Sequence, residues 1–337
     1  MCAGAKMPIV AARIPCATPP REAFMTRINV NQIKPASFTS ACLLPLALVG
    51  CAEQPPRGDA EAPTAEAAIS IADAGFQTPE SVLYDAEADV YLVSNINGDP
   101  LDKDDNGFIS RVSPSGTVEE LRWIDGSRDD IVLNAPKGMA IKGDTLFVAD
   151  IDAVRAFDRR TGAPLGSRTI EGALFVNDLS VGPDGTLYAT DSGLTAGEQG
   201  LTPSGNAAVH RFGADGARAI ATGEALHGPN GIIVDAEGPI AVAFGGNEVY
   251  RLDASGNPAP IAALPAGALD GIVRLDDGTW LVSSWDAQAV FRVDSQGRSQ
   301  AVVEGVASPA DIGFDTRRDR VLIPLFTENR IEIRQIR

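Results

Sequence analysis

The chain has 337 residues and carries a formal net charge of −17. A protein this acidic repels nucleic acid phosphates and anionic lipid headgroups, so nucleic acid is excluded as a partner, and neutral or cationic ligands such as divalent metal ions are favoured. All four cysteines lie at or before residue 51, which excludes disulfides, a thiol nucleophile and cysteine-ligated zinc from the rest of the chain.

The first 50 residues predict an export signal. A short basic stretch over residues 25–34 precedes a mostly apolar stretch over residues 38–49. This order is typical of a secretory signal peptide, and the apolar stretch is shorter than the ~20 residues that a membrane-spanning helix needs. Met25 is then the expected start, which makes residues 1–24 an upstream extension.

The tetrad Leu48-Val49-Gly50-Cys51 resembles the bacterial lipobox, whose cysteine is lipidated and becomes the mature N-terminus. The resemblance implies a lipid anchor on Cys51, and residues 51–65, rich in Ala, Glu and Pro, are expected to form a disordered tether. The alternative is an unlipidated signal cut nearby. We expect an exported protein of the cell envelope, periplasmic or on the outer membrane, that meets a membrane only through this anchor.

Residues 66–337 contain six copies of one pattern: a leading residue, polar or charged in most copies, a strand-like run, a turn rich in Asp and Gly, and a second strand. The leading positions are 57, 40, 53, 40 and 40 residues apart and are occupied by Glu80, Lys137, Asn177, Asn230, Asp270 and Ala310. A period near 40 residues with several short strands is typical of a propeller blade. The sequence therefore predicts an all-β fold, a six-bladed β-propeller of four-stranded blades.

The sixth copy lacks a fourth strand, because the chain ends at Arg337 after the third. An apolar run at residues 67–71 lies just before the first leading residue and is predicted to supply the missing outer strand. Pairing the two ends of the domain in one blade would close the ring and remove an exposed sheet edge.

The leading positions are expected to converge, because the innermost strand of each blade starts at the central channel. Four of them offer oxygen: Glu80, Asn177, Asn230 and Asp270. Two carboxylates and two amide carbonyls are the ligand chemistry of Ca²⁺, although another divalent metal is possible. Taken alone, each of these residues could be an ordinary turn residue. Because four of them stand at equivalent positions in the repeats, a metal site is favoured.

The motifs Thr78-Pro79-Glu80, Asn177-Asp178, Pro229-Asn230-Gly231 and Asp270-Gly271 resemble the regucalcin/gluconolactonase (SMP-30) family and its relative diisopropyl fluorophosphatase. These are six-bladed propellers with one catalytic Ca²⁺ in the channel. The resemblance implies that the four leading residues ligate calcium and that Asp270 doubles as nucleophile or general base. The resemblance spans nearly the whole domain, but each motif that carries it is only two or three residues long.

Two leading positions depart from the metal pattern. Lys137 would repel a divalent cation, so it lies higher in the channel, pairs with Asp178, or replaces the metal. Ala310 offers no ligand, but Asp311 beside it could reach inward, and Lys137, Asp178 and Asp311 are candidates for contact with a substrate. His227 is a weaker candidate for a proton shuttle or substrate contact, with a rim histidine as the alternative.

Two functions follow from these expectations. The first is a calcium-dependent hydrolase acting on a small lactone or phosphoester at the central channel, with loops 95–106 and 193–206 carrying specificity. The alternative is a non-catalytic propeller, resembling NHL-repeat proteins, that binds a protein or saccharide at the cell envelope. In both cases we expect a monomer, and in the first case a small-molecule substrate.

Overall fold

The computed structural model describes residues 68–198 and 200–336. The predicted signal segment, Cys51 and the tether lie outside these residues. Within the described ranges the chain forms six four-stranded antiparallel sheets and no α-helix, which confirms the all-β, six-bladed prediction. None of the helical segments there is long and apolar enough to cross a membrane.

The first three blades follow the first three sequence repeats. Blade 1 contains β2 (Pro79–Asp85), β3 (Val90–Asn95), β4 (Phe108–Val112) and β5 (Val118–Asp125). Blade 2 contains β6 (Pro136–Lys142), β7 (Thr145–Asp150), β8 (Ala153–Asp158) and β9 (Pro164–Thr169). Blade 3 contains β10 (Val176–Val181), β11 (Leu187–Asp191), β14 (Ala208–Gly213) and β15 (Gly216–Thr222), and between its second and third strands lies a two-stranded ribbon of β12 (Leu194–Gly197) and β13 (Gly200–Pro203).

The last three blades follow the remaining repeats. Blade 4 contains β16 (Pro229–Asp235), β17 (Gly238–Ala243), β18 (Glu248–Leu252) and β19 (Pro258–Ala263), and blade 5 contains β20 (Leu269–Arg274), β21 (Trp280–Ser284), β22 (Ala289–Val293) and β23 (Ser299–Glu304). Blade 6 contains β24 (Gly313–Asp315), β25 (Arg320–Leu325), β26 (Arg330–Gln335) and β1 (Ile69–Ile71). Two short 3₁₀ turns occur at Glu224–Leu226 and Phe326–Glu328.

The innermost strands form a continuous ring. β2 contacts β6, then β10, β16, β20 and β24 follow in order, and β24 contacts β2 again. An apolar cluster fills the space between each pair of neighbouring blades. Because each sheet has a neighbour on both faces, the second strands are buried along nearly their whole length and carry apolar residues at consecutive positions.

The outermost strand of blade 6 comes from the start of the domain. β1 pairs antiparallel with β26, with Ile69 opposite Ile333 and Ile71 opposite Ile331. Ile71 is buried in the apolar cluster between blades 6 and 1. How strongly this pairing stabilises the ring remains a prediction.

Hydroxyl groups on second strands join neighbouring blades close to the channel. Thr190 Oγ1 accepts a hydrogen bond from the backbone N–H of Asp178 at 3.0 Å and donates to the carbonyl of Asn230, in the next blade, at 2.6 Å. Ser283 Oγ likewise donates to the carbonyl of Ala310, in the blade that follows its own, at 2.8 Å. These bonds fix the backbone at the leading positions on which the site depends.

Candidate functional site

Each leading residue of the first five blades lies at a β-bulge. The pairing register of the innermost strand shifts between the residues before and after the leading position in all five sheets. The residues at these bulges are Glu80, Lys137, Asn177, Asn230 and Asp270. A bulge leaves one residue outside the ladder and re-aims its side chain, and here all five side chains line the same pocket.

All four predicted ligands present a buried oxygen without a hydrogen-bond partner among the described residues. These atoms are Glu80 Oε2, Asn177 Oδ1, Asn230 Oδ1 and Asp270 Oδ1. Their residues are only 3–5% exposed and line one pocket. Unsatisfied buried oxygens are rare and each costs about 1–3 kcal/mol. A set of four, two of them carboxylate oxygens, fits a hard divalent cation.

Hydrogen bonds to the other polar atoms of two ligands orient these free oxygens. Asn177 Nδ2 donates to Ser192 Oγ at 3.0 Å, which assigns Oδ1 to the pocket side. Trp285 Nε1 donates to Asp270 Oδ2 at 2.8 Å and leaves Oδ1 free. Each partner bonds one polar atom of the candidate ligand and leaves its other oxygen free, as outer-shell residues do at metal sites.

Burial gives the two carboxyl groups an unfavourable electrostatic environment. Burial raises the pKa of Glu80 well above its usual range, and the nearby Asp270 charge raises it further. The pKa of Asp270 is raised well above its usual range by burial and then by Asp311. A cation in the pocket would oppose both causes, because it favours the ionised form of each group.

Lys137 is fully buried in the pocket lining, yet no described carboxylate lies within 4.0 Å of its ammonium. Lys137 Nζ donates to the carbonyls of Ala135 at 2.9 Å and Pro100 at 3.3 Å, and it lies 4.5 Å from the centre of the Phe175 ring. Burial lowers the pKa of Lys137 to about 8, with the Glu80 charge acting in the opposite direction. The ammonium is therefore held by carbonyl groups and does not pair with Asp178.

Asp178 and Asp311 are buried but do not line the pocket. Both carboxylate oxygens of Asp178 accept backbone N–H groups, one from Leu179 at 2.6 Å and one from Ile232 in the next blade at 2.7 Å. Asp311 Oδ2 accepts from the Ser81 hydroxyl, which joins blades 6 and 1. Burial raises the pKa of Asp311 to about 7. The hydrogen bonds of these two residues connect blades.

His227 does not line the pocket either. Its side chain is 54% exposed and its Nδ1 lies 3.7 Å from Glu248 Oε2. The residue follows the 3₁₀ turn with a left-handed backbone conformation, φ 51°. This position is that of a rim histidine, the alternative reading of the sequence.

A second ring of residues surrounds the leading positions, and sequence reasoning missed it. Because the strands are antiparallel, the end of each second strand lies beside the start of the first. The residues that directly follow the second strands are Ile96, Ile151, Ser192, Phe244, Trp285 and Phe326. Four of them line the pocket. The sequence does contain a signal for them, because these residues occupy the same position, directly after the second strand, in every repeat.

No group of three or more Asp, Glu, His or Cys side chains within residues 68–198 and 200–336 is arranged to share a metal ion. The candidate set differs from such a group because half of its oxygens come from asparagine amides. A metal at this position would rest on two carboxylates, Glu80 and Asp270, and on the amide oxygens of Asn177 and Asn230.

No protein-family model and no curated sequence matches the chain. Solved structures do match. A gluconolactonase from Xanthomonas campestris is 20% identical, with 80% of this chain and 89% of that chain covered and a TM-score of 0.61. A calcium-binding regucalcin from Agrobacterium tumefaciens is 16% identical, with 77% and 90% covered and a TM-score of 0.54. At these identities the similarity to the two structures shows a shared fold and nothing further.

A third neighbour limits what the fold implies. A streptogramin B lyase is 12% identical, with 80% of this chain and 98% of that chain covered and a TM-score of 0.57. The neighbours confirm the predicted resemblance to gluconolactonase and regucalcin propellers, but a lyase shares the architecture, so function has to be argued from the site.

Proposed function

We propose that this protein is a hydrolase that depends on a divalent cation, with calcium as the expected ion, and acts on a small lactone or phosphoester in the channel pocket. The observation that carries the proposal is the convergence of four buried oxygens, one from each of four blades, that have no partner within the part of the chain that the structure describes. The donor set contains oxygen alone, as calcium prefers. The gluconolactonase and regucalcin neighbours support the same reading.

When bound, the cation would act as a Lewis acid that polarises a carbonyl or phosphoryl oxygen. Glu80, Asn177, Asn230 and Asp270 would hold it. In lactone hydrolysis, water adds its hydroxyl to the carbonyl carbon, the ring C–O bond breaks, and the released alkoxide takes the remaining proton. The product is a hydroxy acid.

Asp270 is the residue proposed to act on the substrate. Its Oδ2 accepts a hydrogen bond from Trp285 Nε1, and its buried Oδ1 has no partner among the described residues. As a general base Asp270 takes a proton from water and returns it to the alkoxide. As a nucleophile it attacks the carbonyl carbon, the ring C–O bond breaks to leave a mixed anhydride, and water then hydrolyses the anhydride to release the hydroxy acid. Single-turnover hydrolysis in ¹⁸O water separates the two, since label enters the Asp270 carboxylate only when water attacks the Asp270 side-chain carbon of the anhydride.

The non-catalytic scaffold remains the second candidate. A salt bridge from Lys137 into the channel would have favoured it, because such a pair removes the need for a metal. Instead the Lys137 ammonium donates to two backbone carbonyls. The arrangement of Lys137 thus supports the hydrolase.

The decisive experiment is calcium titration calorimetry on the full chain after treatment with a chelator. We expect one calcium ion per chain, followed by lactone or phosphoester hydrolysis that EDTA abolishes and calcium restores. A well-folded protein that binds no divalent cation would remove the hydrolase and leave the scaffold.

Location at the cell envelope is a further part of the proposal and rests on sequence alone. Cys51 follows a lipobox-like tetrad, so the wild-type protein should fractionate with membranes and Cys51→Ser should be released or remain unprocessed. Mass spectrometry of the mature N-terminus measures this directly. An unmodified N-terminal residue would contradict lipidation.

A further inference from the structure

The wall of the pocket is apolar outside the candidate metal ligands. Eight of its nine other lining residues are apolar or aromatic, and the ninth is Lys137. Lys137 is the one charged side chain among them, and its ammonium already donates to two carbonyls. The Trp285 indole N–H is committed to Asp270. A substrate carrying several hydroxyl groups would find few partners here and would lose its hydrogen bonds to water.

Three aromatic residues from consecutive blades form one continuous side of this wall. The ring centres of Phe244 and Trp285 are 5.6 Å apart with the planes at 83°, and those of Trp285 and Phe326 are 5.2 Å apart at 52°. All three directly follow a second strand, so the blade framework sets their spacing. Such a surface favours contact with alkyl or aryl groups.

Two leucines extend the wall from the ribbon of β12 and β13. Leu194 lies at the start of β12, Leu201 lies in β13, and both line the pocket. Leu201 is 39% exposed, and it is one of three large apolar side chains in the described residues with such exposure. The other two, Val132 and Leu165, do not line the pocket. A substrate group lying on Leu201 would cover it.

We infer that the pocket takes a neutral lactone bearing an alkyl or aryl substituent, in preference to a polyhydroxylated sugar lactone. This inference rests on the proposed lactonase function. The substituent lies against the aromatic and leucine wall, while the ring carbonyl faces the four oxygens that would hold the cation. Hydrolysis proceeds as above: water supplies the hydroxyl and the proton, and the ring C–O bond breaks.

The first test compares two substrates with the calcium-loaded full chain. We expect kcat/KM for δ-decanolactone to exceed that for glucono-δ-lactone by about tenfold or more, because each buried methylene adds to discrimination in an apolar pocket. Equal values, or a preference for the sugar lactone, would overturn the inference while leaving the hydrolase intact. Hydrolysis of neither lactone would count against the proposed lactonase, and the second test then decides the inference alone.

The second test measures binding without hydrolysis. Titration calorimetry compares a δ-lactam carrying a pentyl group with a polyhydroxylated δ-lactam, since neither is expected to be cleaved. We expect the alkyl lactam to bind about tenfold more tightly. Equal affinities, or binding of neither lactam, would overturn the inference.

A matched pair of surface substitutions locates the binding wall. Leu201→Ser should raise KM for δ-decanolactone several-fold and weaken alkyl lactam binding by the same factor, with kcat unchanged. Leu165→Ser removes an equally large side chain that is 57% exposed on β9, and it should leave both values unchanged. An unchanged KM in Leu201→Ser, or the same change in both variants, would contradict the assignment of the wall.

Discussion

Two groups of buried oxygen-bearing side chains lie at neighbouring positions in the sequence repeats and differ in how their oxygens are used. Four residues occupy leading positions, and each keeps one buried oxygen without a partner within residues 68–198 and 200–336: Glu80, Asn177, Asn230 and Asp270. Asp178 and Asp311 follow leading positions by one residue and accept hydrogen bonds that cross between blades. One group is available to a ligand, and the other holds the ring together.

Residue type and burial alone therefore do not identify a ligand site. A carboxylate whose oxygens are all bonded inside the protein has little left for a cation, whereas a buried oxygen without a protein partner can accept a cation or a water molecule. A single step along the strand decides between these roles, because the bulge places successive side chains in different surroundings. Substitutions in each of the two groups test this distinction.

The largest expected effect is at Asp270. Asp270→Asn keeps the shape of the side chain but removes the charge and the proton acceptor, so hydrolysis should fall by about 10³-fold or more. The Trp285 hydrogen bond can still form, so the melting temperature should stay close to that of the wild type. Initial rates of lactone hydrolysis with saturating calcium measure the effect. Wild-type activity in Asp270→Asn would remove this residue from the mechanism.

The next effect is at Asp178 and should appear in stability. Asp178→Asn replaces one of the two acceptors of buried backbone N–H groups with a donor, which should cost about 2–4 kcal/mol of unfolding free energy. Denaturant unfolding measures the change. The charge-matched control is Asp215→Asn in an exposed turn, which should change little. A loss of calcium affinity in Asp178→Asn with unchanged stability would place Asp178 with the ligands instead.

Stability should depend on pH in a way that calcium reverses. The folded pKa of Asp311 is about 7, against an ordinary value of 3.8, and those of Glu80 and Asp270 are raised as well. The folded protein therefore holds protons that the unfolded chain has released, and its unfolding free energy should fall as pH rises from 3.8 to about 7.

Calcium should cancel much of that loss, because it binds the ionised carboxylates of the folded state. At 100 times its dissociation constant the ion adds about 2.7 kcal/mol. Melting temperatures measured from pH 4 to 8, with EDTA or with calcium, test this. A metal-free protein whose stability rises across that interval would contradict the electrostatic description of the site.

The smallest effects are opposite shifts in calcium affinity at two pocket residues. Glu80→Gln removes one carboxylate charge and should weaken calcium binding about tenfold. Lys137→Met keeps a side chain of similar length but removes the ammonium that repels the cation, so it should strengthen calcium binding by about the same factor. Calorimetry on both variants measures the shifts. Weaker binding in Lys137→Met would show that the lysine supports the cation site.

The sequence was sufficient for the blades and for the leading residues. Three features can be recognised without knowledge of packing: a period near 40 residues, turns rich in Asp and Gly, and oxygen-bearing residues at one register position. The pairing of Ile69–Ile71 with the last blade is visible because the sixth repeat lacks a strand. Loops 95–106 and 193–206 also contribute to the pocket, through Pro100, Leu194 and Leu201.

The aromatic wall and the roles of the second aspartates were less accessible. Phe244, Trp285 and Phe326 follow apolar strands and look like a continuation of the core, so only extending the repeat register by one position would have separated them. The sequence predicts Asp178 and Asp311 as substrate contacts because each directly follows a leading position. It does not show which of two neighbouring side chains faces the pocket. Lys137 could not be placed, since its partners are backbone carbonyls from a neighbouring turn and a loop.

The repeated bulge has a consequence for how such a protein can change. In five of the six blades it presents one side chain to the same cavity, while the paired residues on either side hold the sheet together. A single codon at one of these positions therefore alters the chemistry of the cavity and leaves the scaffold nearly untouched. Lys137 is one such position where this chain has already departed from oxygen, so substitutions at the other four could change the ligand that the cavity accepts while the blades remain.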